Sequence, residues 1–327
     1  MWDTVLSVID HHTTPQKAVA LWDGDVNSVE LVSTGINLVY RFKRQGEVCY
    51  LRLTHSELKK ISELESAISF QDYLYQAGVP VCSLVSSDQG NWIETIMQQQ
   101  QHAFLAHVCA GVPGEPIHFN VDNHLIYENW GKALGQFHAA SAHYPKDDLK
   151  YNRWENDIAE FNDYAKNDEQ LIQSALQQTF DFFKNHPQLP ENYGLIHGDH
   201  RKANVLTDGN QIHFIDFDLP RYCWFMDDIT RPFFSNILKQ DNHWQNKLPF
   251  YIRGYRSVFP LSDTELKTFA WFMRYKALNI YLWTKNNWQG DVAPGGEDIK
   301  SWLESMRKMI LDRSWVGDVD SVIEACV

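Results

Sequence analysis

The chain has 327 residues, 44% of them hydrophobic and 22% charged, which is typical of a globular protein long enough to bury two cores without disulfides. Its 42 Asp and Glu residues outnumber its 29 Lys and Arg residues and give a net charge of −13. An acidic chain repels phosphate groups, and no run of Lys and Arg reverses the charge locally. The composition therefore argues against nucleic acid and anionic membrane surfaces as partners.

The five cysteines are scattered and form no CxxC pair, a pattern typical of reduced thiols rather than of a disulfide framework or a zinc site. The first residues include Asp3 and lack the basic segment and apolar core of a signal peptide. No apolar run approaches the roughly 18 residues of a membrane span. The sequence therefore predicts a cytoplasmic protein and leaves its oligomeric state open.

The first third of the chain has the pattern of a small antiparallel sheet with one helix. A short helix is predicted at 1–12, and a longer one at 56–77 ends at Gly78. Runs with strand periodicity lie at 28–35, 37–44, 47–54, 91–97 and 102–108. Short turns that contain Gly or Gln separate the first three runs from one another and the fourth from the fifth. The glutamine tract at 98–101 is predicted as a hairpin loop between the last two runs.

The rest of the chain is mainly helical. After a connector at 109–116 that is rich in Gly and Pro, an amphipathic helix is predicted at 123–141. Helices with exposed faces are predicted within 145–190, and another helix at 264–286. Between them, residues 195–218 have a strand–loop–strand rhythm. This order predicts an α+β protein with a small antiparallel-sheet lobe followed by a larger mainly helical lobe.

The strand–loop–strand segment contains three residues suited to phosphoryl transfer. Asn204 lies five residues after Asp199, and Asp216 lies twelve residues after Asn204. Phosphoryl transfer needs one carboxylate to orient the acceptor hydroxyl, and a metal ion to neutralise the phosphate charge. A second carboxylate and an amide oxygen are ligands that suit Mg²⁺. The types, order and spacing of the three residues match the catalytic loop and metal-binding aspartate of protein kinases.

The segments HGDHRKANVL and IDFD resemble those of the aminoglycoside phosphotransferase and choline kinase family, most closely its stress response kinase A and homoserine kinase-type members. The resemblance runs from about residue 29 to residue 288. It implies a two-lobed protein-kinase-like fold, with a nucleotide-binding lobe at 1–109 and a catalytic and acceptor-binding lobe at 110–327. It also implies ATP and Mg²⁺ as cofactors, Asp199 as the catalytic base, and Asn204 and Asp216 as metal ligands.

The same resemblance assigns residues of the small lobe to the nucleotide. STGINLVYRF is similar to the family's nucleotide loop, in which Gly35 allows close backbone approach and Asn37 lies at the turn. Arg52 takes the place of the phosphate-binding lysine of kinases, although its planar guanidinium is not equivalent to a lysine ammonium. By resemblance, the main chain near His107 and Cys109 holds the adenine.

A glutamate on the following helix is expected to pair with Arg52. Counting back from Gly78, the family's position for this glutamate holds Ala67, so this sequence departs from the pattern. Glu63 lies one helical turn earlier on the same face and is the candidate, with Glu65 as a weaker one.

The acceptor stays open at this stage. A hydroxyl of a small molecule and a Ser/Thr hydroxyl of a protein are both candidates. Aromatic residues beside acidic groups can hold a cationic acceptor through cation–π attraction, and Arg274 could meet a carboxylate or a phosphate. Core packing is the simpler explanation for those aromatic residues, which are Tyr222, Trp224, Phe225, Trp271, Tyr275 and Tyr281.

Three function hypotheses compete. An ATP-dependent phosphotransferase acting on a small-molecule hydroxyl explains Asp199, Asn204 and Asp216 together; a Ser/Thr protein kinase of the stress response type is the alternative within the same class. A nucleotide-binding scaffold without catalysis would explain the missing glutamate at Ala67. A metal-dependent hydrolase is a remote third, because no further set of His and Asp ligands has the spacing of a metal site.

Overall fold

A computed structural model describes residues 8–98, 102–119, 122–145, 151–293, 296–312, 314 and 319–326. Most of the predicted helix at 1–12 and of the predicted loop at 98–101 lies outside these residues. The chain divides into two compact units. The first comprises the described residues of Met1–Gly114, Asp147–Tyr151 and His213–Asp218; the second comprises those of Glu115–Lys146, Asn152–Ile212 and Leu219–Val327.

The first unit is built on an antiparallel sheet. Strands β1 to β3 pair in sequence order, β3 pairs with β6, and β6 also pairs with β4 and β5. The strands are β1 (Asp25–Thr34), β2 (Asn37–Arg44), β3 (Glu47–His55), β4 (Leu84–Val85), β5 (Glu94–Gln98) and β6 (His102–Ala110). The helices in the described part of this unit are α1 (Thr13–Ala20) and α2 (Ile61–Gln76). The predicted strands and the predicted helix between them are confirmed, with shifted ends.

Alternation of side chains decides which face of the sheet is buried. In β2, Leu38, Tyr40 and Phe42 are almost fully buried, whereas Arg41 between them is exposed. Successive side chains of a strand point to opposite faces, so one face joins the core and the other meets solvent. Trp22 lies in the same core, where its indole N–H donates to the Val85 carbonyl oxygen at 2.7 Å.

The second unit is mainly helical. Its longer helices are α3 (His124–Ala142), α4 (Asn156–Ala165), α5 (Gln170–Asn185), α8 (Leu248–Arg256), α10 (Phe269–Asn287) and α11 (Ile299–Leu311). Shorter ones are α6 (Phe225–Thr230), α7 (Phe234–Leu238), α9 (Asp263–Leu266) and α12 (Val319–Glu324). None of the helices in the described ranges is long and apolar enough to cross a membrane.

Short strands frame the predicted catalytic loop. They are β7 (Glu115–Pro116), β8 (Asn152–Arg153), β9 (Tyr193–Ile196), β10 (Val205–Thr207), β11 (Ile212–Phe214) and β12 (Arg221–Trp224). Strand β12 pairs antiparallel with β9 and parallel with β8, and β10 pairs antiparallel with β7. Between β9 and β10 the chain forms the loop that begins at His197 and closes in the 3₁₀ turn Lys202–Asn204.

Helices α3 and α8 approach so closely that only glycine fits at their crossing. A Cβ atom on Gly131 would lie 1.8 Å from the Tyr251 carbonyl oxygen, and one on Gly254 would lie 1.9 Å from the Glu128 carbonyl oxygen. Large aromatic side chains fill the surrounding core, including Trp130, Phe137 and Tyr255, all fully buried. This packing fixes α3, which carries His138 toward the loop described below.

Candidate active site

The loop after β9 takes a conformation that requires glycine. Gly198 has φ +78°, and a Cβ atom there would lie 2.1 Å from the Leu219 carbonyl oxygen. A side chain at this position would be strained by the backbone conformation and would collide with main chain that cannot give way. Gly198 therefore lets the chain turn sharply and present Asp199 immediately after the turn.

Asp228, at the start of the second unit's α6, holds this loop. Its carboxylate accepts hydrogen bonds from the His197 N–H at 2.7 Å and the Gly198 N–H at 3.1 Å. His138 contacts the same carboxylate at 3.4 Å, and its other ring nitrogen lies 2.8 Å from the Tyr255 hydroxyl. Burial raises the pKa of Asp228, but the hydrogen bond with His138 and the neighbouring histidines outweigh burial and leave the pKa below its ordinary value.

Asp199 is surrounded by donors. Arg231 Nη2 lies 2.9 Å from its Oδ1, and Arg201 Nε lies 3.0 Å from its Oδ2. Burial raises the pKa of Asp199, but the charges of Arg231, Arg201 and Lys276 lower it further than burial raises it. The carboxylate is therefore ionised at neutral pH, as a proton acceptor must be.

Asn204 is hydrogen-bonded to Asp199 in an orientation that exposes its amide oxygen. Its Nδ2 donates to the Asp199 carbonyl oxygen at 2.8 Å and to Oδ2 of the Asp199 carboxylate at 3.0 Å. No donor within the described residues contacts its Oδ1. An amide oxygen without a donor is a suitable ligand for a hard cation. The structure thus brings two of the predicted site residues, Asp199 and Asn204, together in the second unit.

In the first unit, Arg52 lies between two carboxylates. Its Nη2 is 2.9 Å from Asp216 Oδ1 and also donates to Asp218. Burial lowers the pKa of Arg52, but Asp218 and then Asp216 outweigh burial, so the pKa lies above its ordinary value. The reciprocal effect, chiefly from Arg52 and Lys59, overcomes burial and holds the pKa of Asp218 well below its usual range.

Asp218 is also the contact point for two further residues. Asn37 donates its side-chain N–H to the carboxylate, and its Oδ1 accepts from the Thr54 hydroxyl. Lys59 Nζ lies 2.8 Å from the Asp218 carbonyl oxygen. Asp216 itself has φ +70°, a left-handed conformation that is uncommon outside glycine and is often found at functional sites. Three of the predicted residues, Asn37, Arg52 and Asp216, therefore meet in one cluster.

The structure does not pair Glu63 with Arg52. Glu63 lies in the first turn of α2, where its carboxylate reaches back to the Lys60 N–H at 3.2 Å and caps its own helix. Within the described residues the structure records no ion pair between Arg52 and either Glu63 or Glu65. Asp216 and Asp218 supply the negative charge that the helix was expected to supply.

Gly35 lies in the turn between β1 and β2, where its N–H donates to the Asn37 carbonyl oxygen at 3.1 Å. A Cβ atom there would meet nothing closer than that oxygen at 3.8 Å. The unit's own packing therefore imposes no requirement for glycine at this position, and the predicted role of close approach to a nucleotide stays a prediction.

His107 and Cys109 lie inside β6, where the sheet constrains the predicted adenine contact. Cys109 is the ladder partner of Tyr50 on one side and of Leu84 on the other. Its main chain is therefore flanked by strands. The Gly111 N–H also donates to the Val48 carbonyl oxygen at 2.8 Å, so the first residues beyond this pairing follow Gly111. His107 is buried, and burial together with the charge of Arg52 lowers its pKa to about 3, so its ring is neutral.

Comparison with known proteins agrees with this geometry. The model of the phosphotransferase enzyme family matches residues 29–240, about two thirds of the chain. The chain belongs to the phosphotransferase enzyme family. The resemblance to aminoglycoside phosphotransferases and choline kinases, and the predicted enzyme class, a kinase, are confirmed.

Proteins similar to this phosphotransferase cover most of its chain. Amicoumacin kinase of Bacillus subtilis (strain 168) is 22% identical over 304 residues, which cover 90% of each chain. Homoserine kinase of Neisseria meningitidis serogroup B is 26% identical over 265 residues, 79% of this chain and 83% of the relative. The solved complex of the amicoumacin kinase hAmiN with AMP-PNP, Ca²⁺ and Ami has a TM-score of 0.84 at 22% identity, over 97% of this chain and 98% of that one. The predicted protein-kinase-like α+β fold is confirmed.

Most of the aromatic residues considered for the acceptor are buried in this phosphotransferase, and Trp271 is the partly exposed one. Trp224, Phe225 and Tyr275 are at most 2% exposed and pack in the core of the second unit. Arg274 is buried and donates to the Ile310 carbonyl oxygen at 2.8 Å and to Gln178 at 3.2 Å. The simpler explanation, core packing, therefore applies to these three aromatics, and Arg274 is engaged by the protein.

Sequence reasoning missed four charged residues of the two clusters. Asp218 is the second acid of IDFD, so its proximity to Asp216 was a usable signal. Lys59, Arg231 and Lys276 carry no motif, and only the fold brings them near aspartates that are distant in the sequence.

Proposed function

We propose that the chain is an ATP-dependent phosphotransferase that moves the γ-phosphate of ATP to a hydroxyl group of a small molecule. In this reaction Asp199 accepts the proton of the acceptor hydroxyl. The observation that carries the proposal is the pairing of an ionised, partly buried Asp199 with Asn204 on a loop that Asp228 holds in place. A general base needs this combination of negative charge and fixed position.

Asn204 and Asp216 are the proposed ligands of Mg²⁺. Asn204 offers an amide oxygen without a donor, and Asp216 offers a carboxylate, both of which fit a hard divalent cation. Within the described part of the chain, no group of three or more His, Cys, Asp or Glu side chains is arranged for a metal. The remaining proposed ligands are phosphate oxygens and water. When bound, the metal neutralises charge on the transferred phosphate.

Arg52 is proposed to contact the phosphates of the nucleotide from the first unit. Its Nε is buried and has no hydrogen-bond partner within the described residues, so a phosphate oxygen would satisfy it. The main chain of the connector at 112–114, rather than that of Cys109 itself, is the proposed adenine contact. Gly35 and Asn37 are the proposed residues of the nucleotide loop.

The names of the relatives support a small molecule as the acceptor. Amicoumacin kinase and homoserine kinase are both named for small compounds. A Ser/Thr side chain of a protein is the alternative.

The test is ADP formation with Mg-ATP across amino alcohols, aminoglycosides, sugars, homoserine and generic protein substrates, repeated with excess EDTA. We expect ADP formation that depends on a small-molecule acceptor and stops when the metal is removed. Binding of ATP without acceptor-dependent ADP formation would favour a scaffold without catalysis, and absence of ATP binding would contradict the proposal as a whole. Phosphorylation of the proteins alone would replace the small-molecule acceptor by a protein.

A further inference from the structure

The residues around Asp199 carry more positive charge than the neighbouring carboxylates neutralise. Within the described residues, Asp199 is the hydrogen-bond acceptor recorded for Arg231, and it takes only Nη2. The Nε of Arg231 is buried without a partner in the same part of the chain. The side chain of Arg231 is only 15% exposed, so water does not readily replace the missing acceptors. Buried guanidinium N–H groups that lack acceptors are costly to the free protein.

Lys276, on the second unit's α10, adds another cation at the same place. Burial and the charge of Arg231 lower its pKa to about 8, while Asp199 and Asp227 act in the opposite direction. It remains mainly charged at neutral pH. No ion pair or hydrogen bond of Lys276 is recorded within the described residues.

The neighbouring charged residues Arg221 and Asp227 form no recorded ion pair with Arg231 or Lys276 within the described residues. Arg221 is paired with Asp157 at 2.8 Å and with the Tyr275 hydroxyl at 2.6 Å. Asp227 is buried, and burial raises its pKa above the ordinary value, although Lys276 and Arg221 oppose the rise. Arg231 and Lys276 therefore remain as two partly buried cations near one carboxylate, Asp199, which also pairs with Arg201.

We propose that Arg231 and Lys276 bind a carboxylate group of the acceptor, so that the substrate is a hydroxy acid whose hydroxyl lies at Asp199. The inference rests on the proposed function and names the class of its acceptor. A guanidinium next to an ammonium is an arrangement that recognises carboxylate and phosphate oxygens. It repels a cationic acceptor, although the net charge of −13 over the whole chain would attract one.

The γ-phosphate of ATP carries the same anionic oxygens and is the other source of this chemistry. The two sources differ in which ligand loses affinity when Lys276 is neutralised. If Lys276 binds the acceptor, the KM for the acid rises and ATP binding is unchanged. If Lys276 binds the γ-phosphate, ATP binding or the slow hydrolysis of ATP in the absence of an acceptor changes, equally with every acceptor.

The experiment compares three- and four-carbon alcohols that differ in one group. The probes are 3-hydroxypropionate, 1,3-propanediol and 3-aminopropan-1-ol, with 4-hydroxybutyrate, 1,4-butanediol and 4-aminobutan-1-ol as the longer set. Binding of each is measured by calorimetry in the presence of a non-hydrolysable ATP analogue and Mg²⁺, and ADP formation is measured separately. The variants are Lys276→Met, the charge-conserving Lys276→Arg, and Lys285→Met as a control on the same helix, since Lys285 is exposed and pairs with Asp168.

We expect the acid of at least one set to bind about 10- to 100-fold more tightly than its diol, the effect of a charged hydrogen bond, and the amine to bind most weakly. Lys276→Met should remove this preference, whereas Lys276→Arg and Lys285→Met should keep it. Equal binding of acid and diol, tighter binding of the amine, an unchanged preference in Lys276→Met, or a change confined to ATP would overturn the inference. Acid binding that depends on Lys276 without ADP formation would keep the acid site and contradict the proposed function instead.

Discussion

Arg52 in the first unit and Arg231 in the second both pair with an aspartate of the predicted kinase motif, but their surroundings differ. Arg52 faces two carboxylates, and the second of these, Asp218, is also bound by Lys59 and Asn37. Two cations and two carboxylates balance there. Arg231 shares Asp199 with Arg201, and Lys276 adds further positive charge.

This difference indicates that the two clusters have different roles. The balanced cluster of the first unit stabilises its own fold and holds Asp216 in a fixed position, as a metal ligand requires. The cluster of the second unit keeps a buried Arg231 N–H without an acceptor in the described residues, which costs stability in the free protein and which the proposed anion would satisfy. A buried ion pair is thus weak evidence of function, whereas a buried cation without its acceptor is stronger evidence.

The largest expected loss of activity comes from changing Asp216, in the cluster of the first unit. Asp216→Asn keeps the shape of the side chain but removes one negative charge from the proposed metal site. We expect kcat/KM to fall by about 10³-fold, because metal stabilisation of phosphate charge is worth several kcal/mol. The measurement is ADP formation over a Mg²⁺ titration, with Asp88→Asn, an exposed loop carboxylate, as the control. Unchanged activity and unchanged Mg²⁺ dependence would remove Asp216 from the metal site.

Neutralising Arg52 should show how much the ion pairs of the first unit's cluster contribute to the free energy of unfolding. In Arg52→Met, Asp216 and Asp218 lose their shared cation in a buried setting, so we expect the free energy of unfolding to fall by about 3 kcal/mol. The control is Arg41→Met, because Arg41 and its partner Glu30 are 51% and 63% exposed and such pairs contribute less than about 1 kcal/mol. Urea denaturation measures both. Equal losses in the two variants would show that the cluster is not a stabilising one.

The catalytic loop depends on a single glycine. Gly198→Ala should lower the free energy of unfolding by about 2 kcal/mol or more, because the left-handed backbone is strained and the new Cβ atom collides with Leu219. Gly209 is the matched control, since it has φ +101° but open space around its Cβ position. Gly209→Ala should therefore lose only the backbone part, about 1 kcal/mol. A loss in Gly198→Ala no larger than that in the control would mean that the loop adapts.

Acid pH should weaken the second unit through its buried histidines. Burial lowers the pKa of His138, and it lowers the pKa of His200 to about 4, both from 6.5. Below pH 6.5 the unfolded chain binds protons that these folded residues do not accept, so stability falls with pH until the folded pKa is reached. We expect a loss of about 1 kcal/mol per pH unit from His200 between pH 6 and 4, and a loss in the same direction from His138. Denaturation curves at several pH values test this, and His138→Gln should reduce the slope; stability that is constant over this range would contradict the assignment.

The sequence was sufficient to predict the antiparallel strands of the first unit and the loop that carries Asp199 and Asn204. Period-two alternation located β2 at its observed bounds, and the spacing of Asp199 and Asn204 placed them on one loop, where the structure joins them by a hydrogen bond. These features are local, because strand periodicity and motif spacing depend on neighbouring residues.

Contacts between distant residues were beyond the sequence. Glu63 was expected at Arg52 because helical spacing gives the face of a helix but not its distance from a strand, and Asp218 takes that place from 166 residues away. Only the packing of the second unit brings Arg231 into contact with Asp199 and brings Lys276 close enough to lower the pKa of that carboxylate, and no motif encodes that packing. Only the structure therefore shows which positively charged side chains lie near Asp199.

The most direct test of the account is the comparison of Asp199→Asn with the unmodified protein in single-turnover transfer of phosphate from ATP to an acceptor that supports ADP formation. We predict that the rate falls by ~10²- to 10⁴-fold, the usual contribution of a general base, while the protein stays folded and ATP affinity is retained. Asp163→Asn, which alters an exposed pair with Lys166, should leave the rate unchanged. Transfer by Asp199→Asn at the unmodified rate would contradict the central claim that Asp199 is the catalytic base.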